Sequence, residues 1–260
     1  METKEGVIMS SVEKALILFE KLSTTPYEFS LGELAQAIDC TKSGTYKILA
    51  AMVKENFVQQ QKNKKYSLGC SVLRLHAAYE KYALNWSICR PVLERLCGIT
   101  GETCTLARWE NGYAHILYRV RSPENLRIEG NIGRALPLNA SAHGKLLAAY
   151  QDESSIDALI KKYPLQKLCP NTITDVQQLK AEYREIRRTG ISISMEESSL
   201  GAIGIAAPVF GHDGQVCASL CCGTPAIRLT TEKRELITKN VVEYARTLST
   251  LILNQANANQ

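Results

Sequence analysis

The chain has 260 residues, of which 45% are hydrophobic and 22% charged, the balance of an ordinary globular protein. It is longer than most single domains, so two domains are expected. It lacks an apolar run of roughly 18 residues, which a membrane-spanning helix would need. The charged segment 1–6 does not resemble a signal peptide. Together these features exclude a membrane-spanning protein and predict a cytoplasmic one.

Nine cysteines raise the question of disulfides or a zinc site. Their spacing is irregular, without a Cys-x-x-Cys pair, and an odd number in a cytoplasmic chain is typical of reduced, buried thiols. The adjacent Cys221 and Cys222 lie in a predicted strand, where they would point to opposite faces of a sheet. The sequence therefore predicts neither a metal ion nor a cofactor.

The net charge of +5 is concentrated in one short segment. Residues 40–65 contain six lysines and a single acidic residue, Glu55, so this window alone carries +5. A basic patch on an otherwise neutral protein is typical of a surface that binds the phosphate backbone of a nucleic acid. A solvated lysine face without any partner would have the same composition, so the pattern around the patch has to distinguish the two interpretations.

Residues 1–69 predict a winged helix-turn-helix domain. Ser10 and Ser30 each begin a Ser-x-x-Glu capping box, and each box predicts the start of a helix. Thr41 is expected to cap a third helix. The predicted inner residues are Val12, Ala15, Leu16, Phe19 and Leu22 in the first helix, Leu31, Leu34, Ala35 and Ile38 in the second, and Thr45, Ile48, Leu49, Met52 and Val53 in the third.

The third helix and the hairpin after it carry the candidate DNA-binding residues. The second helix of a helix-turn-helix enters the major groove with its N-terminal residues, where hydroxyls and lysines suit phosphates and base edges. Strand-like runs over 57–61 and 65–68 flank a lysine-rich tip, which predicts a wing able to touch phosphate or the minor groove. The candidates are Thr41, Lys42, Ser43, Gly44, Tyr46 and Lys47 in the helix, and Lys62, Asn63, Lys64 and Lys65 in the wing.

Residues 70–86 show a helical apolar pattern without Gly or Pro, which predicts a stiff linker helix. Residues 87–260 then predict an α+β domain with a mainly antiparallel sheet. Strands are expected over 103–109, 114–120, 126–129, 191–195, 202–210 and 215–222, with hairpin turns at 111–112 and 212–214. One helix is expected to end at Gly98, and others to begin near Asn139 and Glu153 and to run over 175–189 and 231–254.

Short motifs in both halves of the chain carry a family resemblance. The N-terminal motifs are Ser11-Val12-Glu13-Lys14-Ala15-Leu16, Leu31-Gly32-Glu33-Leu34-Ala35, Lys42-Ser43-Gly44-Thr45-Tyr46-Lys47-Ile48-Leu49 and Tyr66-Ser67-Leu68-Gly69. The C-terminal motifs include Thr100-Gly101-Glu102-Thr103, Leu136-Pro137-Leu138, Ala140-Ser141 with Gly144-Lys145, and Arg228-Leu229-Thr230. In these motifs the chain resembles the IclR family of bacterial transcriptional regulators along essentially its whole length. The resemblance implies a regulator of double-stranded operator DNA, commonly a repressor. It also implies a linker helix that helps to form homodimers, which often pair into homotetramers.

The recognition helix departs from the family pattern, which usually reads Pro-Lys-Ser-Thr-Val-His-Arg. This chain keeps the Lys-Ser pair but has Thr41, Gly44, Tyr46 and Lys47 at the variable places, so its operator cannot be inherited from a relative. Gly44 lowers helix stability by roughly 1 kcal/mol relative to alanine. We interpret it as permitting closer approach of the backbone to DNA.

The resemblance also implies a GAF-like effector-binding domain that takes small organic acids or aromatic metabolites. The positions that correspond to its pocket are Leu126, Ile128, Ala142, His143, Ser194, Gly204, Cys221 and Gly223. Relative to the glyoxylate-type pocket, this set lacks an Asp, a Cys and two serines. The sequence therefore predicts a roomier, less polar pocket and a bulkier effector than glyoxylate. His143 and the start of its helix would supply donors for an anion.

Other interpretations stay open from the sequence. His143 could instead cap or pack against its own helix, Cys221 could fill the core, and Glu196-Glu197 is expected to form a solvated turn or surface ion pair. A Cys221–His143 nucleophile is the enzymatic alternative, although nucleophile-elbow and phosphate-binding patterns are missing and a reactive cysteine needs cationic neighbours. An adaptor whose winged helix binds protein is the third class, which the lysine patch disfavours.

Overall fold

The structure is a computed structural model of the chain, and it describes residues 9–82 and 88–258. The described residues form two compact units, one within residues 1–86 and the other within residues 87–260. Within the described ranges, none of the helices is long and apolar enough to cross a membrane. In the same ranges, the structure holds no group of three or more His, Cys, Asp or Glu side chains placed to bind a metal ion.

The first unit is the predicted winged helix-turn-helix. Its helices are α1 (Ser11–Leu22), α2 (Leu31–Ala37) and α3 (Lys42–Lys54), and the strands β1 (Val58–Gln60) and β2 (Tyr66–Leu68) pair antiparallel. The linker helix α4 is described over Ser71–Tyr82. The rest of the predicted linker, 83–86, lies outside the described residues.

Both predicted capping boxes form. The Ser10 hydroxyl accepts a hydrogen bond from the N–H of Glu13 at 3.2 Å, and the Glu13 carboxylate accepts one from the N–H of Ser10 at 2.6 Å. Ser30 and Glu33 repeat this exchange at 3.3 and 2.7 Å. Because these bonds favour the ionised carboxylates, they lower the pKa of both glutamates. The capping boxes therefore set where α1 and α2 begin.

The core of the first unit corrects the predicted inner face of α1. Val12 and Leu16 are 69% and 58% exposed, whereas Leu18 is fully buried beside Leu22. Apolar residues cover more than one face of this helix, so helical periodicity alone does not select the buried row. The core comprises Leu18, Leu22, Phe29, Leu34, Ile38, Leu49, Met52, Val58 and Tyr66.

The second unit is built on one antiparallel sheet, as predicted. Its six strands are β3 (Thr103–Glu110), β4 (Tyr113–Val120), β5 (Ala135–Leu136), β6 (Ser192–Met195), β7 (Ala202–Phe210) and β8 (Val216–Pro225), in the spatial order β5-β4-β3-β8-β7-β6. The helices are α5 (Cys89–Thr100), α6 (Ala142–Ala149), α7 (Glu153–Lys162), α8 (Val176–Thr189) and α9 (Thr231–Ala258). A short 3-10 turn, Ala226–Arg228, follows β8.

Helices cover both faces of this sheet. On one face, α6, α7 and α8 share a core with Ala206 of β7 and Cys221 of β8. On the other face, α5 packs on β3 and β4 and α9 on β7 and β8, and the Cys222 thiol lies 3.7 Å from the Thr100 hydroxyl of α5. Cys221 and Cys222 therefore point to opposite faces, as their adjacency in a strand predicts.

The predicted end of α5 at Gly98 is wrong. The helix continues through Gly98 to Thr100, and Gly101 ends it with a φ of +68°. Gly101 is the residue that needs the left-handed conformation, which costs glycine little. Two glycines three residues apart offer the same sequence signal, and the position of β3 selects the second.

The predicted strand over 126–129 does not form. The outer edge of β4 is taken by β5, where Ala114 pairs with Leu136. The segment instead crosses the sheet on the α6 side, with Ile128 against Gly223 of β8 and Gly130 against Thr105 of β3. We call residues 126–130 the strap, and it forms part of the site described next.

Candidate functional site

The candidate DNA-binding surface is the N-terminal half of α3. Lys42, Ser43, Tyr46 and Lys47 are all exposed, whereas Thr45 beside them is fully buried. Tyr46 is 55% exposed despite its large aromatic ring. The exposed row therefore presents two ammonium groups and two hydroxyls, which are groups that contact phosphates and base edges.

Thr41 and Gly44 act within the protein at the start of α3. The Thr41 hydroxyl accepts the N–H of Gly44 at 3.1 Å and so caps the helix. A Cβ at position 44 would lie 2.8 Å from the Cys40 sulfur and 3.2 Å from the Thr41 hydroxyl oxygen. Internal packing thus explains this glycine, a different reason from the close approach to DNA inferred from sequence.

The wing presents two exposed cations, Lys62 and Lys64, while Lys65 is half-buried. Asn63 builds the turn: its side-chain oxygen accepts the N–H of Lys65 at 2.9 Å, and its amide donates to Glu28 at 3.3 Å. Of the four predicted wing residues, Lys62 and Lys64 therefore present exposed ammonium groups, whereas Asn63 shapes the loop.

A cavity of about 120 Å³ lies in the second unit, between the sheet, the start of α6 and the strap. It brings together residues that are far apart in the chain, from α6, β6, β7, β8 and the strap. Seven of the eight predicted effector residues line it: Ile128, Ala142, His143, Ser194, Gly204, Cys221 and Gly223.

Two glycines bring the walls of this cavity close to the sheet. They lie in one row of strand pairs, in which Thr103 pairs with Gly223, Gly223 with Gly204, and Gly204 with Ser194. An added Cβ at Gly204 would lie 3.1 Å from that of Ala142, and one at Gly223 3.3 Å from Ile128. The space left by the missing side chains at these two positions is thus partly filled by Ala142 and Ile128.

Leu126 does not belong to this lining, which corrects its predicted place. Its side chain is 59% exposed, and its carbonyl oxygen accepts a hydrogen bond from Arg228 at 2.6 Å. Arg228 is in turn held by the buried Glu102 carboxylate through two bonds, of 2.9 and 2.6 Å. These contacts hold Leu126 on the outer side of the strap.

The family resemblance did not indicate most of the residues that line the cavity. The further lining residues are Thr103, Thr105, Ile116, Gly130, Arg134, Leu136, Ser141, Ser198, Ser199, Ala202 and Ile203. The period of two in β3 could have indicated Thr103 and Thr105, which share one face. Arg134 precedes a strand of two residues and has no such signal. It is the charged side chain among the described lining residues.

His143 is buried and bonded through both ring nitrogens. Nε2 lies 2.8 Å from the Thr105 hydroxyl oxygen, and Nδ1 lies 2.9 Å from that of Ser219. Burial lowers the pKa of His143 to about 3, so the ring is neutral near pH 7. Its single N–H is therefore used within the protein. Burial also raises the pKa of the Cys221 thiol well above its usual range, so these contacts do not assemble the Cys221–His143 nucleophile considered from sequence.

A buried ion pair fixes the loop that borders the cavity. Lys145 of α6 is 1% exposed and donates to Glu197 at 2.9 Å, to Glu182 at 2.8 Å and to the Ile193 carbonyl at 2.7 Å. Glu197 is buried, so the expected solvated turn or surface pair is wrong at this residue. Because Ser198 follows Glu197 directly and lines the cavity, this ion pair ties the cavity wall to α6.

Two family models match the chain. The IclR helix-turn-helix domain matches residues 11–62, and the bacterial transcriptional regulator IclR C-terminal domain matches residues 84–250. The HTH-type transcriptional regulator KdgR of Dickeya chrysanthemi is 28% identical over 250 residues, which cover 95% of this chain and 81% of KdgR. The HTH-type transcriptional repressor AllR of Escherichia coli K12 is 25% identical over 243 residues, which cover 93% of this chain and 90% of AllR.

A solved structure shows the same fold. It is an IclR homolog from Microbacterium hydrocarbonoxydans, complexed with 4-hydroxybenzoate, and it matches with a TM-score of 0.77 over 94% of this chain and 99% of that chain, at 20% identity. The C-terminal family model by itself spans more than half of the present chain. The chain therefore belongs to the IclR family of DNA-binding bacterial transcriptional regulators.

Proposed function

We propose that this chain is a cytoplasmic repressor that binds operator DNA as a homodimer or homotetramer and is controlled by a small organic or aromatic acid. The cavity carries the proposal, because it combines apolar walls with hydroxyls and one cationic side chain, Arg134. Ligand pockets typically have this composition, with a few polar groups that orient the ligand. The name of AllR supports the repressor role, since it is a transcriptional repressor of the same family.

The size of the cavity narrows the effector class. At about 120 Å³ it is close to the engineered apolar cavity of about 150 Å³ that binds benzene. A one-ring or short-chain acid suits this volume, whereas a long chain would have to displace the strap. Arg134 is the group suited to a carboxylate, since guanidinium and carboxylate match in geometry.

Thermal unfolding with added acids tests the effector class. We expect benzoate or 4-hydroxybenzoate to raise the melting temperature more than glyoxylate, and Arg134→Gln to remove most of that rise. Arg95→Gln, at an exposed arginine of α5, is the matched control and should leave it unchanged. Stabilisation by glyoxylate alone, or an unaltered response of Arg134→Gln, would contradict this assignment.

A salt titration of DNA binding tests the recognition helix. Lys42→Ala and Lys47→Ala should each weaken operator binding and reduce the salt slope by about one phosphate contact, without unfolding the protein. Lys54→Ala, at the opposite end of α3, is the control for a generic loss of charge. If all three substitutions weakened DNA binding equally, the N-terminal half of α3 would not be the DNA-binding surface. A DNA affinity that does not depend on salt would favour the protein-binding adaptor.

Exposed apolar side chains in the first unit support the proposed oligomer. Leu75 and Tyr79 of α4 are 58% and 46% exposed, and Val12 and Leu16 of α1 are also exposed. In each helix the two residues are four apart and therefore share a face. We expect Leu75→Glu to shift sedimentation toward the monomer. Ala77→Glu, at an exposed position of the same helix, adds the same charge and is the control. An unchanged assembly for Leu75→Glu would exclude this face of α4 as the contact.

A further inference from the structure

A three-residue hydrogen-bonded chain runs from the core to the cavity. It begins at Ser219 of β8, whose side chain is fully buried, passes through the ring of His143 and ends at Thr105 of β3. The two distances are 2.9 and 2.8 Å. Thr105 and His143 both line the cavity, whereas Ser219 does not. One end of this series of hydrogen bonds, Ser219, is therefore buried in the core, and the other end, Thr105, lies at the cavity.

The hydrogens in this chain can be arranged in two ways. A neutral histidine has one N–H donor and one acceptor nitrogen, and each hydroxyl has one hydrogen to donate. If Nδ1 donates to Ser219, the Ser219 hydrogen is left without an acceptor, since among the described residues His143 is its hydrogen-bond partner. If instead Ser219 donates to Nδ1, then Nε2 donates to Thr105, and the remaining hydrogen lies at the cavity.

Burial selects the second arrangement. An unsatisfied hydroxyl hydrogen is costly at a fully buried residue and inexpensive where a cavity can supply an acceptor. Besides His143, the group within hydrogen-bond reach of the Thr105 hydroxyl among the described residues is the Cys221 thiol, and sulfur accepts hydrogen bonds only weakly. Among the described residues, Thr105 has no hydrogen bond to the hydroxyls of Ser141 and Ser194, which donate to the carbonyls of Pro137 and Ala140. Thr105 therefore has a hydrogen to offer to a ligand.

We propose that Thr105 is an effector-binding donor, oriented by the Ser219–His143 pair, and that it selects ligands with an oxygen acceptor at this point of the cavity. Ser219 and His143 are positioning residues, since they act through Thr105. This inference rests on the proposed function, because it names a contact of the same effector site. It favours ligands with an acceptor at this point over ligands whose polar group can only donate, such as an ammonium.

The tautomer of His143 tests this arrangement of hydrogen bonds in the protein without a ligand. In nitrogen-15 spectra of the full chain, with the signal assigned through His143→Gln, Nε2 should be protonated and Nδ1 unprotonated. Ser219→Ala should produce a mixture of both tautomers, because it removes the donor to Nδ1. If the His143 ring of the wild type is protonated at Nδ1, the proposed orientation of Thr105 by Ser219 and His143 is wrong. This measurement needs no effector, so its failure is distinct from failure of the proposed function.

Ligand binding tests Thr105 directly, with calorimetric titration of benzoate, 4-hydroxybenzoate and benzylamine. We expect an acid to bind the wild type and benzylamine not to bind. Thr105→Val should weaken acid binding about 10- to 100-fold, the usual effect of losing a hydrogen bond to a charged group. Thr105→Ser, which keeps the hydroxyl, should bind nearly as the wild type does, and this separates the hydroxyl from packing.

Each further outcome decides a different point. Equal acid affinity of Thr105→Val and the wild type would overturn the role of Thr105. Weakening by Thr105→Ser as large as that by Thr105→Val would assign the effect to the methyl group and also overturn it. Binding of benzylamine would refute the selection for an acceptor. If neither acid bound the wild type, the proposed effector class would fail, and the Thr105 contact would fall with it whatever the tautomer.

Discussion

At Gly44, helix propensity and packing act in opposite directions. Alanine would favour the helix by about 1 kcal/mol, but its Cβ would lie 2.8 Å from the Cys40 sulfur. Overpacking typically costs about 1–3 kcal/mol. We therefore expect Gly44→Ala to destabilise the wild type by about 1 kcal/mol and to be neutral or stabilising in a Cys40→Ala background. Urea unfolding of the four proteins of this cycle measures both effects. If Gly44→Ala lowered the free energy of unfolding equally in both backgrounds, contact with the Cys40 sulfur would not be the reason for the loss of stability.

The buried His143 predicts how stability depends on pH. Its pKa is about 3 in the folded protein and about 6.5 when unfolded, so between these values the unfolded chain binds the additional proton. Stability is fully present above pH 6.5 and falls as the pH decreases toward 3, with a slope of at most about 1.4 kcal/mol per pH unit. Unfolding of the wild type and His143→Gln should be compared between pH 7 and 5.5, where carboxylates contribute little. Parallel curves would show that His143 does not stay neutral.

At the scale of elements, α6 joins the cavity to the core of the second unit. Its Ser141 cap and first turn line the cavity, and one turn later Lys145 holds Glu197 and Glu182. The second carboxylate oxygen of Glu197 is buried without a hydrogen-bond partner among the described residues. Glu197 therefore depends strongly on the Lys145 ammonium.

Removing the Lys145 ammonium should lower the free energy of unfolding far more than removing the charge of Glu182. Lys145→Met leaves a buried charge uncompensated, which typically costs about 3–5 kcal/mol. Glu182→Gln should cost at most about 1 kcal/mol, because Glu182 is partly exposed to solvent. Denaturant unfolding compares the two, and Glu197→Gln in the Lys145→Met background should restore part of the loss. If Lys145→Met and Glu182→Gln both lowered the free energy of unfolding only slightly, the Lys145–Glu197 ion pair would contribute little to stability.

At the scale of the whole molecule, the proposed control needs free-energy coupling between effector and operator. If the acid releases the protein from DNA, saturating acid should weaken operator binding about 5- to 150-fold, and operator should weaken acid binding by the same factor. Fluorescence anisotropy on a genomic fragment captured by the protein measures the first effect, and calorimetry the second. Thr105→Val should keep acid-free DNA affinity while requiring more acid for release. Acid binding that leaves DNA affinity unchanged would refute control by this cavity.

The sequence by itself determined the local features of this protein. Capping boxes and the hairpin turns at 111–112 and 212–214 predicted the helix starts and the antiparallel sheet, since these signals act over a few residues. The lysines of residues 40–65 predicted a candidate DNA-binding surface in the same way. Seven of the eight pocket positions that the family resemblance implied line the cavity.

Only the tertiary structure decided what depends on distant partners. It selected the buried face of α1, turned residues 126–130 into the strap because β5 occupies the edge of β4, and buried Glu197 against Lys145. It also paired His143 with Ser219, 76 residues away, which moved the available donor from the histidine to Thr105. Periodicity and composition carry no information about such pairings, because the packing of separate elements creates them.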